Sequence, residues 1–188
     1  MRSTLLFILV TGVFAAAAAV PAESVYELAY GITRLAHFAG DTNGLVVMSR
    51  RENGNGHGFD VVSFYVEAAA GAQDQPSLSI LPLFRKDKDE EKLELTVGGG
   101  ADCLLHDFRL THGAGGVELI VATREFGDTY VDERPVTFDR YELEHNATGE
   151  VGRPPYYFEW KEATTSKRRY CDVGDAFKQD LGLDPYRR

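Results

Sequence analysis

The chain has 188 residues, with 20 basic against 29 acidic side chains and a formal net charge of −9. A surface this acidic repels nucleic acid and anionic membranes, which excludes both as partners, and it attracts a basic protein or a cation. Aromatic residues make up 11% of the sequence, ample for a packed core, and no apolar stretch after the first 22 residues is long enough for a transmembrane helix.

Arg2, an apolar and small-residue run over 5–20, and a closing Val20-Pro21-Ala22 have the form of a secretory leader cleaved before Glu23. The expected organisation is a signal peptide over 1–22 and a single domain over 23–188, periplasmic or secreted, with no membrane insertion once the leader is gone. Two cysteines in an exported chain predict one disulfide, Cys103–Cys171. Closing so long a loop stabilises by roughly 4 kcal/mol on the chain-entropy model.

Residues 23–38 carry two periods: Tyr26, Leu28 and Tyr30 alternate as in a strand, while Ile32, Leu35 and Phe38 recur as on a helix, and both readings stay open. The string GDTNG, 40–44, is a turn, because Gly and Asn accept positive φ and Asp bonds its own backbone. Asp41 and Asn43 offer oxygens to a structural cation there, but a full calcium loop needs more carboxylates and a distal Glu. A strand follows over 45–49. The glycine-rich GNGHG, 54–58, lacks the Lys-Ser/Thr and the helix of a phosphate loop. Residues 59–67 are apolar on both sides and read as a central strand. After a loop of small residues, 68–76, the strand 77–84 carries Pro82, which demands an edge or a bulge. RKDKDEEK, 85–92, is a solvated hairpin loop, and 93–97 return as a strand.

The stretch GGGADCLLHDFRLTH, 98–112, passes from a glycine hinge into an alternating strand. Leu104, His106, Phe108, Leu110 and His112 point one way; Cys103, Leu105, Asp107, Arg109 and Thr111 point the other. The first face suits a core. The second sets Asp107 two residues from Arg109 and needs solvent or a neighbouring strand to satisfy it. A GAGG turn, 113–116, and a strand over 117–123 complete a hairpin. Residues 124–130 leave the sheet as a polar and aromatic loop, 135–144 form a strand, and 156–161 form a last aromatic strand. Asn146-Ala147-Thr148 matches a glycosylation acceptor but occupies a turn. Asp172 is placed to cap a short helix, 173–181, stopped by Gly182. Many short strands and one terminal helix predict an all-β fold, an antiparallel sandwich or barrel.

The sequence holds no Gly-x-Ser-x-Gly, Ser-x-x-Lys or His-Glu-x-x-His. His106 and His112 share a strand face but stand about 20 Å apart, too far for one metal ion. An enzyme is thus unsupported, and the chain is read as non-enzymatic, with an enzyme of unrecognised type as a third reading that a convergent pocket of titratable groups would revive. Arg51 with Glu52, Asp107 with Arg109, and Arg124 with Glu125 and Asp128 lie beside glycine-rich or aromatic segments. Such pairs either meet a ligand or partner, or cross-link loops and sheet ends through charge-assisted hydrogen bonds.

Five strings support a resemblance: Arg51-Glu52-Asn53 through to Tyr65, GGADCLLHDFRL over 99–110, Arg124-x-Phe126-Gly127-x-x-Tyr130, Asn146 through GE-x-GRPxxYFE to Glu159, and Tyr170-Cys171-Asp172-Val173. Together they resemble the carbapenem intrinsic resistance proteins, the CarG-like family, over most of the chain beyond Asp41. The resemblance implies an antiparallel β-sandwich with short terminal α-helices, similar in fold to periplasmic inhibitors of invertebrate-type lysozyme, and a homodimer. It implies protection of the cell against a carbapenem by binding or shielding, without hydrolysis. The family's cation site is associated with an N-terminal turn richer in acidic residues than 40–44 is here. If the ligand is a carbapenem, its carboxylate needs a cation, for which Arg51, Arg109 and Arg124 are the candidates. The alternative is a lysozyme-inhibitor-like protein that seats an exposed loop, 113–116 or 124–130, in the cleft of a secreted muramidase.

Overall fold

The computed structural model describes residues 24–68, 77–100, 102–113 and 115–186. The expected leader, 1–22, and nearly all of the expected loop over 68–76 lie outside the described residues. No helix among the described residues is long and apolar enough to cross a membrane.

The strands in chain order are β1 (Ser24–Val25), β2 (Gly31–Ala39), β3 (Thr42–Arg51), β4 (Phe59–Ala68), β5 (Ser77–Ile80), β6 (Leu83–Arg85), β7 (Glu90–Lys92), β8 (Leu95–Gly98), β9 (His106–Gly113), β10 (Gly116–Arg124), β11 (Arg134–His145) and β12 (Tyr156–Tyr170). They hydrogen-bond in the order β2-β3-β4-β8-β9-β10-β11-β12-β6-β7, with β1 on β9 and β5 on β4. The ladder is continuous but nearly divided, because β8 meets β9 through one residue pair, Gly98 with His106. Gly98 turns this corner at φ 104°, a backbone that a side chain would strain. β2-β3-β4-β8 and β9-β10-β11-β12-β6-β7 thus form the two halves of a sandwich.

Their inner faces interlock through aromatic rings. Phe64 of β4 lies 5.9 Å from Phe108 of β9 and 5.4 Å from Phe158 of β12, and Phe38 of β2 lies 6.4 Å from Phe158. All four rings are buried, in one cluster with Val62, Leu83, Val97, Leu110 and Leu119.

The expectation of a wholly antiparallel sandwich is corrected at one pair. β6 runs parallel to β12, with Leu83 opposite Phe158. The expected strand over 77–84 breaks at Leu81-Pro82: Leu81 N–H donates to Phe64 of one half, and the Pro82 carbonyl accepts from Phe158 N–H of the other. Pro82 has no N–H to offer a ladder, so the chain switches halves there. The segment reaches β12 by crossing between sheets and not through a hairpin, so no turn dictates antiparallel pairing. Beyond it, 85–92 forms the expected charged hairpin, with a 3₁₀ turn (Lys86–Lys88) between β6 and β7.

The open question over 23–38 divides: Ile32, Leu35 and Phe38 lie in β2 and form no helical turn, while 26–30, where Tyr26, Leu28 and Tyr30 alternate, connect β1 to β2 outside any strand. The pairing of β2 with β3 slips between Leu35 and Ala39, and His37 takes a positive φ of 53° at the slip. This bulge carries Leu35 and Phe38 to the same buried side three residues apart, which mimics helical spacing. Terminal helices are correspondingly reduced to one: among the described residues only the C-terminal helix is present. Asp172 caps it by accepting from Gly174 N–H at 2.7 Å, its first turn is α1 (Val173–Ala176), and it widens into a π turn (Phe177–Leu181) that stops at Gly182, φ 70°.

That helix covers the outer face of β9, β10 and β11, where Ile120, Ala122, Val136 and Phe138 pack on Val173, Ala176 and Phe177 in a second core. The Cys103–Cys171 disulfide, Cα atoms 5.6 Å apart, ties its start to the approach to β9. The polar face of the 98–112 stretch is satisfied from three sides: Asp107 and Arg109 pair with each other, Tyr186 of the C-terminal segment donates to Asp107, and Thr111 donates to the Glu118 carbonyl of the neighbouring β10. Asp107, Arg109 and Thr111 are all buried.

Candidate functional site

Sheet register gathers the chemistry at one end of the sandwich. Arg51 pairs with Phe59, Phe59 with Gly98, Gly98 with His106, and His106 with Thr123, forming one row across both halves. The connections that leave this row are 52–58, 99–105 and 125–133. The two loops from opposite halves meet where the His57 and Tyr130 rings lie 5.5 Å apart, and Tyr130 in turn is 4.6 Å from Phe126. Arg51, exposed, holds its guanidinium 5.7 Å from the Phe59 ring centroid.

The 125–133 loop is built from two internal caps. Arg124, 1% exposed, donates through Nη1 to the Asp132 carbonyl and through Nη2 to the Tyr130 carbonyl, the latter at 2.5 Å. The Asp132 carboxylate accepts from Asp128 N–H (2.6 Å), Thr129 N–H (3.1 Å) and the Thr129 hydroxyl (2.8 Å). These bonds, the Thr129 hydroxyl first, hold the Asp132 carboxyl below its ordinary pKa. Gly127 is required beside it, since a Cβ there would lie 2.5 Å from an Asp132 oxygen. The rigid frame leaves large apolar surface in water: Phe126 is 56% exposed, Val131 53% and Tyr130 39%. His106, beneath the rim, has its pKa lowered by burial and then by the nearby Arg124 and Lys92 charges, so it stays neutral to a lower pH than an ordinary histidine.

The residues singled out in the sequence fall into two places. Arg51, Glu52, Arg124 and Asp128 share the rim, though Glu52 pairs with Arg50 and Arg124 is committed to its loop. Asp107 and Arg109 lie on the outer face under the helix, where Arg109 Nη1 donates to Asp107 Oδ2 at 2.7 Å and Tyr186 donates to Asp107 Oδ1 at 3.1 Å. In the 40–44 turn, Asn43 gives its amide N–H to Glu67, which Arg34 also engages. No group of three or more His, Cys, Asp or Glu side chains suited to a metal occurs among the described residues. The Asn146 side chain is spent inside its own turn, on Glu150 and Arg153 backbone.

His57, Asp132 and Tyr186 did not stand out in the sequence. Asp132 had a readable signal, an Asp following a Gly-Asp-Thr turn; His57 and Tyr186 gain their partners only through tertiary contacts.

Four of the five strings that carried the resemblance run through this rim or the disulfide beside it; the fifth spans the opposite β11–β12 turn. A family model described as carbapenem resistance protein CarG-like matches residues 28–179. The chain belongs to the CarG-like family. A solved structure described as the crystal structure of CarG aligns with a TM-score of 0.65 at 19% identity, covering 83% of this chain and 94% of that one. At that identity the shared property is the CarG fold. Among curated proteins none matches significantly. Membership marks the chain as a carbapenem-resistance-related protein, and the CarG-like strings coincide with the rim's structural devices: His106, which pairs with Gly98 at the corner, the Arg124 anchor and the Cys103–Cys171 tie.

Proposed function

We propose that this CarG-like protein is exported and protects the cell against a carbapenem without turnover, by shielding a protein target through the 125–133 loop. The observation that carries this reading is three large apolar side chains, Phe126, Tyr130 and Val131, exposed on a loop pinned by Arg124 and Asp132. Exposed aromatics are unfavourable in water unless a partner covers them, and a preorganised loop loses little entropy on docking. Glu125, Asp128 and Glu133 around them favour a basic partner surface.

The test is complementation of a carbapenem-challenged host with a Phe126→Ala/Tyr130→Ala variant, beside calorimetric titration of the wild type with the drug. Shielding predicts a folded variant that no longer protects, and no saturable heat from drug alone. Saturable drug binding by both proteins would replace shielding with sequestration, and loss of intact drug would make the protein an enzyme. The same acidic aromatic loop favours a second reading, inhibition of a secreted muramidase. Full muramidase activity in excess protein removes it.

A further inference from the structure

A cleft of about 510 Å³ opens on the outer face beside the helix, lined by Leu104, Asp107, Arg109, Lys178, Pro185 and Tyr186 among others. Arg109 is 1% exposed at its floor, its guanidinium 4.3 Å from the Phe177 ring centroid and 5.4 Å from that of Tyr186. Nη1 serves Asp107 and the Phe108 carbonyl, each at 2.7 Å, but Nε is buried with no acceptor from the protein. A guanidinium N–H held away from water without an acceptor is unfavourable, and a carboxylate is its strongest complement.

Two of the three acids that line the cleft are already engaged. Asp107 takes Arg109 and the Tyr186 hydroxyl, and Asp172 takes Leu104 N–H (3.1 Å) and Gly174 N–H (2.7 Å). Lys178 and Asp175 remain at the rim, both exposed. A second cleft of about 390 Å³, lined by 24–27 and 182–186, shares Pro185 and Tyr186 with the first. Pro185 and Tyr186 thus stand between two hollows, on a segment attached through Gly182 in the left-handed conformation and Leu183 N–H on the Phe177 carbonyl.

We propose that this cleft binds a small carboxylate borne on a flat apolar body, the acid on Arg109 Nε and Lys178, the body against Pro185 and Tyr186. The site is separate from the 125–133 loop and stands or falls without it. The probe is benzoate, titrated into the ¹⁵N-labelled exported chain with neutral benzamide as control. The readout is the Arg109 Nε–H resonance, assigned by its loss in Arg109→Lys. The site predicts a saturable shift with benzoate, none with benzamide, and a Kd raised about tenfold by the exposed Lys178→Glu, as for loss of one charge-assisted contact. An unmoved or linearly drifting resonance overturns the proposal, as does equal response to benzamide or an unchanged Kd in Lys178→Glu. Should Arg109→Lys fail to fold, Lys178→Glu and the benzamide control still decide the matter.

Discussion

Gly44 lacks a side chain because Phe38 occupies its place: a Cβ there would lie 2.5 Å from the Phe38 ring. Phe38 stands over Gly44 because the His37 bulge turned it inward. Gly44→Ala therefore pushes against a buried ring and is expected to destabilise by about 1–3 kcal/mol, measured as a lower urea midpoint at constant slope. Arg124 matters for a different reason: its two Nη groups fasten the Tyr130 and Asp132 carbonyls. In the sequence that arginine was indistinguishable from a ligand-binding cation. Nothing local reveals that a guanidinium will turn inward to its own loop.

At the scale of elements, the 125–133 loop and the C-terminal helix are each held by a few identifiable bonds. In Asp132→Ala the Asp128 and Thr129 amides lose their acceptor, so their hydrogen exchange should quicken severalfold while the global melting temperature moves little. Acid should do the same. The Asp132 carboxyl has a lowered pKa in the folded protein, so its contribution is complete above the ordinary carboxylate value and disappears as pH falls through the depressed one. Exchange protection of Thr129 that persists unchanged through that range would contradict the assignment. The helix depends on the Cys103–Cys171 tie, whose ends are 68 positions apart in the sequence. Replacing both cysteines by Ser should cost roughly 4 kcal/mol on the chain-entropy model, with helix amides exchanging before the sandwich. The helix cap and its stop were legible as Asp172 and Gly182, ten residues apart. The π turn between them was not; it places Phe177 against Phe138 of β11, with ring centroids 5.5 Å apart, a contact between segments distant in sequence.

For the whole molecule, the corner at Gly98 and His106 joins the two halves of the sandwich, which makes His106 a reporter of global stability. Its pKa is lowered in the fold, chiefly by burial, so the unfolded chain binds its proton more readily. Stability is full above the ordinary histidine value of 6.5 and declines as pH falls through the lower, folded value. Denaturant titrations at a series of pH values should show this decline in the wild type and a flatter profile in His106→Gln; equal slopes would remove His106 as the cause.

Strand alternation, the GDTNG and GAGG turns, the two-cysteine count and the family strings are local properties, and they were enough to read an all-β, disulfide-tied chain of the CarG-like type from the residues alone. Sheet order, the parallel β6–β12 pair, the inward commitment of Arg109 and Arg124, and the meeting of His57 with Tyr130 depend on which distant segments become neighbours. That is decided by competition for buried surface and hydrogen-bond partners across the whole chain, and no window of sequence contains both sides of it.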